Sequence, residues 1–100
     1  MKRHHLKTWP GPFSEMAFDR KTFEFRKNDR GFKVGDVLIL KAWDPERGQY
    51  TGEHLTRVVT YLLKGGQFGM PDGYCCMSLR HATRDERGGH LPEESEASHD

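Results

Sequence analysis

Residues 20–36 constrain the fold of this chain more than any other stretch, because their first half alternates with a period of two. Such alternation is typical of a strand, whose successive side chains point to opposite faces. Phe23 and Phe25 share one face, and we expect that face to meet the hydrophobic core. The pattern therefore predicts a short strand at residues 22–26 within a mainly β domain.

The other face of this strand is polar and carries Thr22, Glu24 and Arg26. Lys21 lies just before the strand, and residues 28–31 form a predicted turn that folds back beside it. A hydroxyl, a carboxylate and a guanidinium on one rigid strand are typical of a polar recognition site or a small active site. A structural network of ion pairs has the same composition, so these interpretations stay open here.

The length of 100 residues fits one domain, which we place at residues 1–81. Residues 82–100 are acidic and lack apolar periodicity, and we expect a disordered tail there. No apolar run approaches the length of a membrane span, and the amino terminus has no apolar signal core. We therefore expect a cytoplasmic protein without a membrane partner.

The net charge of +1 conceals an asymmetry along the chain. Residues 1–35 hold nine Lys and Arg against four Asp and Glu, whereas residues 84–100 hold two against six. A basic first third with an acidic end fits a polyanion-binding face. A merely solvated surface predicts a similar composition, so charge alone does not identify a partner.

The other elements predict a small barrel. Further strands are predicted at residues 4–9, 37–43, 53–63 and 74–79, and a short helix at residues 13–18. About five to six strands with one or two short helices favour a mostly antiparallel pseudo-barrel, because closure removes exposed edges. The residues expected inside it are Phe23, Phe25, Leu38, Leu40 and Val59.

Metal and cofactor motifs are missing from the sequence. The six histidines show no ligand spacing, and Cys75 and Cys76 lack a Cys-x-x-Cys partner. We therefore predict reduced thiols, no metal and no cofactor. The glycine-rich residues 65–69 are either a lid with Phe68 as its apolar peg or a plain hairpin connection.

Several segments together resemble a known family. They are His4-x-Leu6-Lys7-x-Trp9-Pro10, Lys21-Thr22-Phe23-Glu24-x-Arg26-Lys27-Asn28-Asp29-Arg30, Phe32-x-Val34-Gly35-Asp36, Tyr50-Thr51-Gly52, Val59-Thr60-Tyr61, Lys64-Gly65-Gly66-Gln67-Phe68-Gly69 and Gly73-Tyr74. This combination resembles a small bacterial and phage family of the ASCH superfamily. The resemblance implies a PUA-like pseudo-barrel with a cleft beside its helix and the strand of residues 21–26. It also implies RNA binding, and some ASCH members are nucleases or remove acyl groups from modified cytidine.

Two positions depart from the pattern of that superfamily. Asp19 stands where a glycine usually precedes the basic residues, and Asp is among the less costly replacements if φ is positive there. This replacement bears on how closely a ligand can approach the backbone. Glu24 stands where the deacylating relatives have Thr, and the second helix that carries their additional acidic residue is not evident. That second departure weakens the transfer of deacylase activity to this chain.

The candidate ligand-binding residues are Lys7, Trp9, Lys21, Thr22, Glu24, Arg26, Asp29, Arg30 and Tyr74. Their cations suit phosphate, Glu24 suits donors on a base edge or sugar, and Trp9 or Tyr74 suits a stacked base. We therefore expect a domain that binds RNA or a nucleotide-like ligand. The alternative is an enzyme, an N4-acylcytidine amidohydrolase or a ribonuclease, with Lys21 and Glu24 as its catalytic pair. A plain ion pair, and a Trp9 that only fills the core, are the structural alternatives.

Overall fold

A computed structural model of the protein describes residues 1–88 and 94–95. Its elements are β1 (Arg3–Thr8), α1 (Pro10–Ala17), β2 (Phe23–Lys27), β3 (Val37–Asp44), β4 (Gln49–Lys64), β5 (Tyr74–His81), α2 (Arg84–Gly88) and β6 (Glu94–Ser95). This mainly β architecture with two short helices confirms the predicted fold class. Neither described helix has the length and apolar character that crossing a membrane requires.

The strands form one curled sheet in the order β2-β5-β4-β3-β1-β6. β3, β4, β5 and β2 pair antiparallel in turn, as predicted for most of the sheet. β1 instead lies parallel to β3, with Arg3 opposite Val37 and Thr8 opposite Ala42. The long connection through α1 and β2 allows this arrangement, because it returns the chain to the starting end of β1. The sheet is thus a half-barrel with its core on the concave side.

The main core draws alternate residues from the strands. Its buried members are Leu6, Met16, Phe32, Leu38, Leu40, Val59, Cys75 and Met77. Residues two apart on β3 and on β5 contribute together, as a sheet with one buried face requires. The predicted core positions Leu38, Leu40 and Val59 are confirmed by their burial.

Helix α1 begins three residues earlier than predicted, at Pro10. Prolines are tolerated in a first helical turn because their missing N–H has no intrahelical partner there. The helix ends in a Schellman motif: the N–H of Asp19 donates to the carbonyl of Met16 at 3.1 Å, and that of Arg20 to Glu15 at 2.9 Å. This motif requires a left-handed residue, and Asp19 has φ +59°.

The prediction that Phe23 and Phe25 face the core is wrong. They are 45% and 49% exposed, whereas Glu24 between them is 4% exposed. β2 ends the sheet, so its inner face lies over the gap toward β1 and not over the apolar interior. Glu24 tolerates burial there because two cationic side chains bond to it. Phe25 instead stacks on Tyr74, with ring centroids 5.5 Å apart.

A second, smaller core cluster lies on the opposite face of β3 and consists of Val37, Ile39, Val58 and Ala82. Directly after it, Thr83 and Glu86 cap α2 reciprocally. The N–H of Thr83 donates to Glu86 Oε1 at 2.7 Å, and the N–H of Glu86 donates to Thr83 Oγ1 at 3.2 Å. Residues 84–88 of the predicted disordered tail are therefore helical. Residues 82 and 83 of that tail are ordered as well, with Ala82 only 7% exposed, whereas residues 89–93 and 96–100 lie outside the described residues.

Candidate functional site

Side chains from β2 and the following loop bridge the gap between β2 and β1. Nη2 of Arg26 donates to the carbonyl of Lys7 at 2.7 Å, and Nη1 of Arg30 donates to the carbonyl of His5 at 3.4 Å. Carbonyls two residues apart on a strand point to the same edge, so both bonds fall on one edge of β1. Guanidinium groups thus join two strands for which the structure records no backbone pairing among the described residues.

The carboxylate of Glu24 lies at the centre of this bridge. Lys21 Nζ is 2.7 Å from Oε1, and Arg26 Nε is 2.8 Å from Oε2. Lys21 Nζ also donates to the carbonyl of Phe23 at 2.7 Å. Charge-assisted bonds to both oxygens replace the water that burial removes from the carboxylate. The predicted cluster on the polar face of β2 is therefore an ordered network, with one anion held by two cations.

A cleft of about 560 Å³ opens beside this network. Its lining residues are Lys7, Thr8, Trp9, Pro12, Lys21, Glu24, Phe25, Arg26, Lys27, Asp29 and Tyr74. Four of these residues are basic and two are acidic, which gives the lining a net charge of +2. The volume falls in the range of small-molecule sites, and the charge favours an anionic occupant.

Aromatic side chains stand on both sides of the cleft. Trp9 follows β1 at the N-cap of α1 and is 48% exposed, which excludes the alternative that it only fills the core. Tyr74 at the start of β5 is 38% exposed, and its ring lies within 10° of parallel to that of Phe25. Exposed rings in a cationic cleft provide flat apolar surfaces on which a planar ligand can stack.

The structure brings seven of the nine predicted site residues to this cleft, and Thr22 and Arg30 are the two that do not line it. Thr22 is exposed, and its carbonyl accepts the N–H of Leu79 at 3.0 Å beyond the end of β2. The Arg30 side chain is 8% exposed and bridges the strands behind the cleft.

Four lining residues were missed by the sequence analysis: Thr8, Pro12, Phe25 and Lys27. Phe25 was assigned to the core. Thr8 shares the inward face of β1 with His4 and Leu6, so extending the period-two pattern of β1 by one step would have identified it.

Asp19, which replaces the usual glycine, has the positive φ that this position requires. Its Oδ1 lies 2.6 Å from Nε2 of His81 and 3.9 Å from Nη2 of Arg57. Burial lowers the pKa of Arg57, and the charge of Asp19 partly opposes that shift. Asp19 does not line the cleft. Its side chain therefore fastens the end of α1 to β4 and β5.

Two other kinds of site, a metal centre and a reactive thiol, were sought among the described residues. Among residues 1–88 and 94–95, no three His, Cys, Asp or Glu side chains converge to hold a metal ion, while His90 and His99 lie outside that part of the chain. Burial raises the pKa of the Cys75 thiol, which disfavours a reactive thiolate. Phe68, the apolar peg of the lid that residues 65–69 could form, is 94% exposed and does not line the cleft.

Comparison with known proteins places this architecture in a family. A family described as "Domain of unknown function (DUF3850)" matches residues 3–79, which include every residue that lines the cleft. The "Uncharacterized 12.9 kDa protein in GpA 3'region" of Escherichia phage P2 is 36% identical over 59 residues. That alignment covers 59% of this chain and 52% of the phage protein, so the chain spans about half the length of this curated relative. The match over residues 3–79 shows that the chain belongs to the DUF3850 family.

Proposed function

We propose that this protein binds RNA or a nucleotide-like ligand in the cleft between β1, α1 and β2. The observation that carries the proposal is the buried Glu24 carboxylate, held between Lys21 and Arg26 on the wall of a cleft with a net positive charge. Such a network fixes the direction of several donors and acceptors before a ligand arrives, and pre-organisation of this kind favours specific binding.

The cationic side of the cleft suits a phosphate group. Lys21 Nζ uses two of its three N–H bonds on Glu24 and Phe23, which leaves one for a ligand. Lys27 is exposed at the end of β2 and also lines the cleft, and Lys7 faces it from β1. A phosphate between these groups would neutralise the positive charge that Glu24 and Asp29 leave unbalanced in the cleft.

The aromatic side of the cleft suits a base. Trp9 or the Tyr74–Phe25 pair would stack on the base, which every nucleobase permits because each has a flat π-face. Glu24 would then accept hydrogen bonds from donors on the base edge or from sugar hydroxyls. Arg30 would act indirectly in this arrangement, by holding β1 beside β2.

Kinship with the ASCH superfamily and its PUA-like fold is part of the same proposal. Its support is the curled half-barrel, the short helix α1 before the Lys-Thr-x-Glu-x-Arg strand, and the cleft beside that strand. The left-handed Asp19 adds to this support, since a glycine at that position would satisfy the same Schellman motif.

The test is a titration of labelled single-stranded RNA at several salt concentrations. Lys27→Ala should reduce the slope of log affinity against log salt by about 0.7, because one phosphate contact is lost. Trp9→Ala should weaken binding by about tenfold with little change of slope, because stacking is worth about 1–3 kcal/mol per base. Lys33→Ala removes an exposed lysine outside the cleft and serves as the matched control. Wild-type affinity in both cleft variants would contradict the proposal.

The second candidate is an enzyme, and the 2.7 Å contact of Lys21 Nζ with Glu24 inside the cleft is the observation that favours it. A lysine next to a carboxylate can take part in proton transfer to the leaving nitrogen of an amide or from a ribose hydroxyl. However, Lys21 Nζ already donates to Glu24 and to the carbonyl of Phe23, an arrangement that suits a hydrogen-bond donor to a bound ligand better than a nucleophile.

Incubation with N4-acetylcytidine and with labelled RNA tests the enzyme hypothesis. Turnover by the wild type that is abolished in Lys21→Met would support it. Turnover that persists in Lys21→Met, or no turnover by the wild type, would remove Lys21 as a catalytic residue.

A further inference from the structure

A row of lysine and aromatic side chains crosses the convex face of the sheet next to the cleft. We call it the outer tract and define it as Lys7, Lys41, Trp43, Tyr50 and His54. Lys7 on β1 lies opposite Lys41 on β3, and Lys41 lies opposite His54 on β4. Trp43 lies opposite Tyr50 one step further along the same two strands. Neighbouring strands are about 4.8 Å apart, so this row spans about 10 Å across the sheet.

The lysines of the outer tract rest on aromatic rings. Lys7 Nζ lies 4.1 Å from the centroid of the Trp43 ring, and Lys41 Nζ lies 4.9 Å from that of Tyr50. The two rings themselves meet edge to face, with centroids 5.1 Å apart. Each ammonium group is therefore held in place by a cation–π contact, which orders the cation without cancelling its charge.

Three exposed arginines of the protein are instead paired with acidic side chains. Arg20, Arg47 and Arg80 each pair with a carboxylate within 4 Å. Within the described part of the chain, neither Lys7 nor Lys41 has such an ion pair. Their positive charges are therefore ordered without being held in an ion pair, which leaves them available to phosphate groups.

A groove of about 230 Å³ extends the outer tract away from the cleft. Its lining residues are Arg3, His5, Ile39, Lys41, Tyr50, Gly52, Glu53 and His54. Its charged residues are Arg3 and Lys41 against Glu53, which gives the groove a net charge of +1. Lys7 lines the cleft and also contacts Trp43, so it connects the cleft to the tract without a break.

We propose that the outer tract binds the backbone of a single-stranded RNA, one nucleotide of which occupies the cleft. This inference rests on the proposed function and specifies its ligand as a polynucleotide, not a free nucleotide. The successive phosphates of the strand would pass Lys7 and then Lys41 on their way into the groove. An acidic peptide has similar charge, but continuity with a cleft that suits a stacked base favours nucleic acid. Because ammonium groups read no base edge, the tract would be tolerant of sequence.

The experiment compares two probes on the full chain: ribonucleoside monophosphates, and a single-stranded RNA of about ten nucleotides. The oligonucleotide should bind the wild type at least tenfold more tightly than a monophosphate. Lys41→Gln should weaken oligonucleotide binding about threefold to tenfold at low salt and leave monophosphate binding unchanged. Lys41→Arg should restore binding, because it restores the charge. Glu53→Gln should strengthen oligonucleotide binding, since it removes a repulsive carboxylate.

Lys33→Gln is the matched control, because it removes one exposed lysine elsewhere on the surface. Equal oligonucleotide affinities of Lys41→Gln and Lys33→Gln would overturn the tract, and so would wild-type binding that gains nothing from oligonucleotide length. Both results are compatible with ligand binding in the cleft. If neither probe binds the wild type, the proposed function is wrong, and the proposal for the outer tract is wrong with it. Displacement of the RNA by an oligoglutamate of equal charge with equal affinity would also overturn the assignment to nucleic acid.

Discussion

The guanidinium of Arg26 donates to the main-chain carbonyl of Lys7 at 2.7 Å and thereby ties β2 to β1. The same group donates through Nε to Glu24 at 2.8 Å. One side chain therefore both bridges the open side of the half-barrel and neutralises a buried carboxylate in the cleft wall. Because the two tasks share one group, the stability of the fold and the geometry of the cleft are linked.

Arg26→Ala should lower the free energy of unfolding by about 3 kcal/mol, because it leaves the Glu24 carboxylate buried with one partner fewer. Urea denaturation measures the loss, and Lys33→Ala should stay within about 0.5 kcal/mol of the wild type. In a Glu24→Gln background, Arg26→Ala should be less harmful, since no buried charge is then orphaned. A loss below about 1 kcal/mol in the wild-type background would contradict the bridging role.

Asp36 should be among the most sensitive positions outside the cleft. It is 3% exposed and accepts hydrogen bonds from Nε2 of the fully buried His4 at 2.9 Å and from the N–H groups of Lys2 and Lys33. Asp36→Ala leaves these donors without an acceptor and should cost about 3–5 kcal/mol. Asp36→Asn keeps one acceptor oxygen and should cost about half as much. If chemical denaturation gives the same loss in the free energy of unfolding for both variants, these hydrogen bonds do not contribute to stability.

Two substitutions of the left-handed Asp19 distinguish the effect of backbone strain from the loss of side-chain contacts. Asp19→Ala keeps φ near +59° and loses the contact with His81, so it should destabilise the protein by about 1–2 kcal/mol. Asp19→Gly also loses that contact but removes the strain, and it should be more stable than Asp19→Ala by about 1 kcal/mol. Thermal unfolding of both variants at one pH measures the difference. Identical midpoints would contradict the assigned backbone role.

Low pH should destabilise helix α2, because it protonates Glu86. Hydrogen bonds from Arg80, and then from Thr83, lower the pKa of Glu86 from 4.5 to about 2. A depressed folded-state pKa contributes stability above pH 4.5 that is lost as the pH falls toward 2. The wild type should therefore lose amide-exchange protection in α2 across this window, whereas Glu86→Gln should start lower and change less. The difference should shrink in high salt, because both partners lie near the surface. Parallel pH profiles would contradict the prediction.

Much of the fold could be predicted from local pattern. The positions of β1, β3, β4 and β5, and the buried residues of β3, follow from runs of apolar side chains with turn residues between them. The tail was harder to interpret, although the spacing of Thr83 and Glu86 is that of a capping box and would have identified α2.

The sequence by itself determined which residues share the inner face of β2, because a period of two leaves no freedom once a strand forms. Glu24 and Arg26 were thus placed together with Lys21 nearby, and both belong to the cleft wall. Which face of β2 turned inward was decided only by the tertiary structure. β2 ends the sheet over the gap to β1, where the carbonyl of Lys7 accepts a hydrogen bond from Arg26. An ionic face of β2 can donate to that carbonyl and an apolar face cannot, so the phenylalanines turned outward.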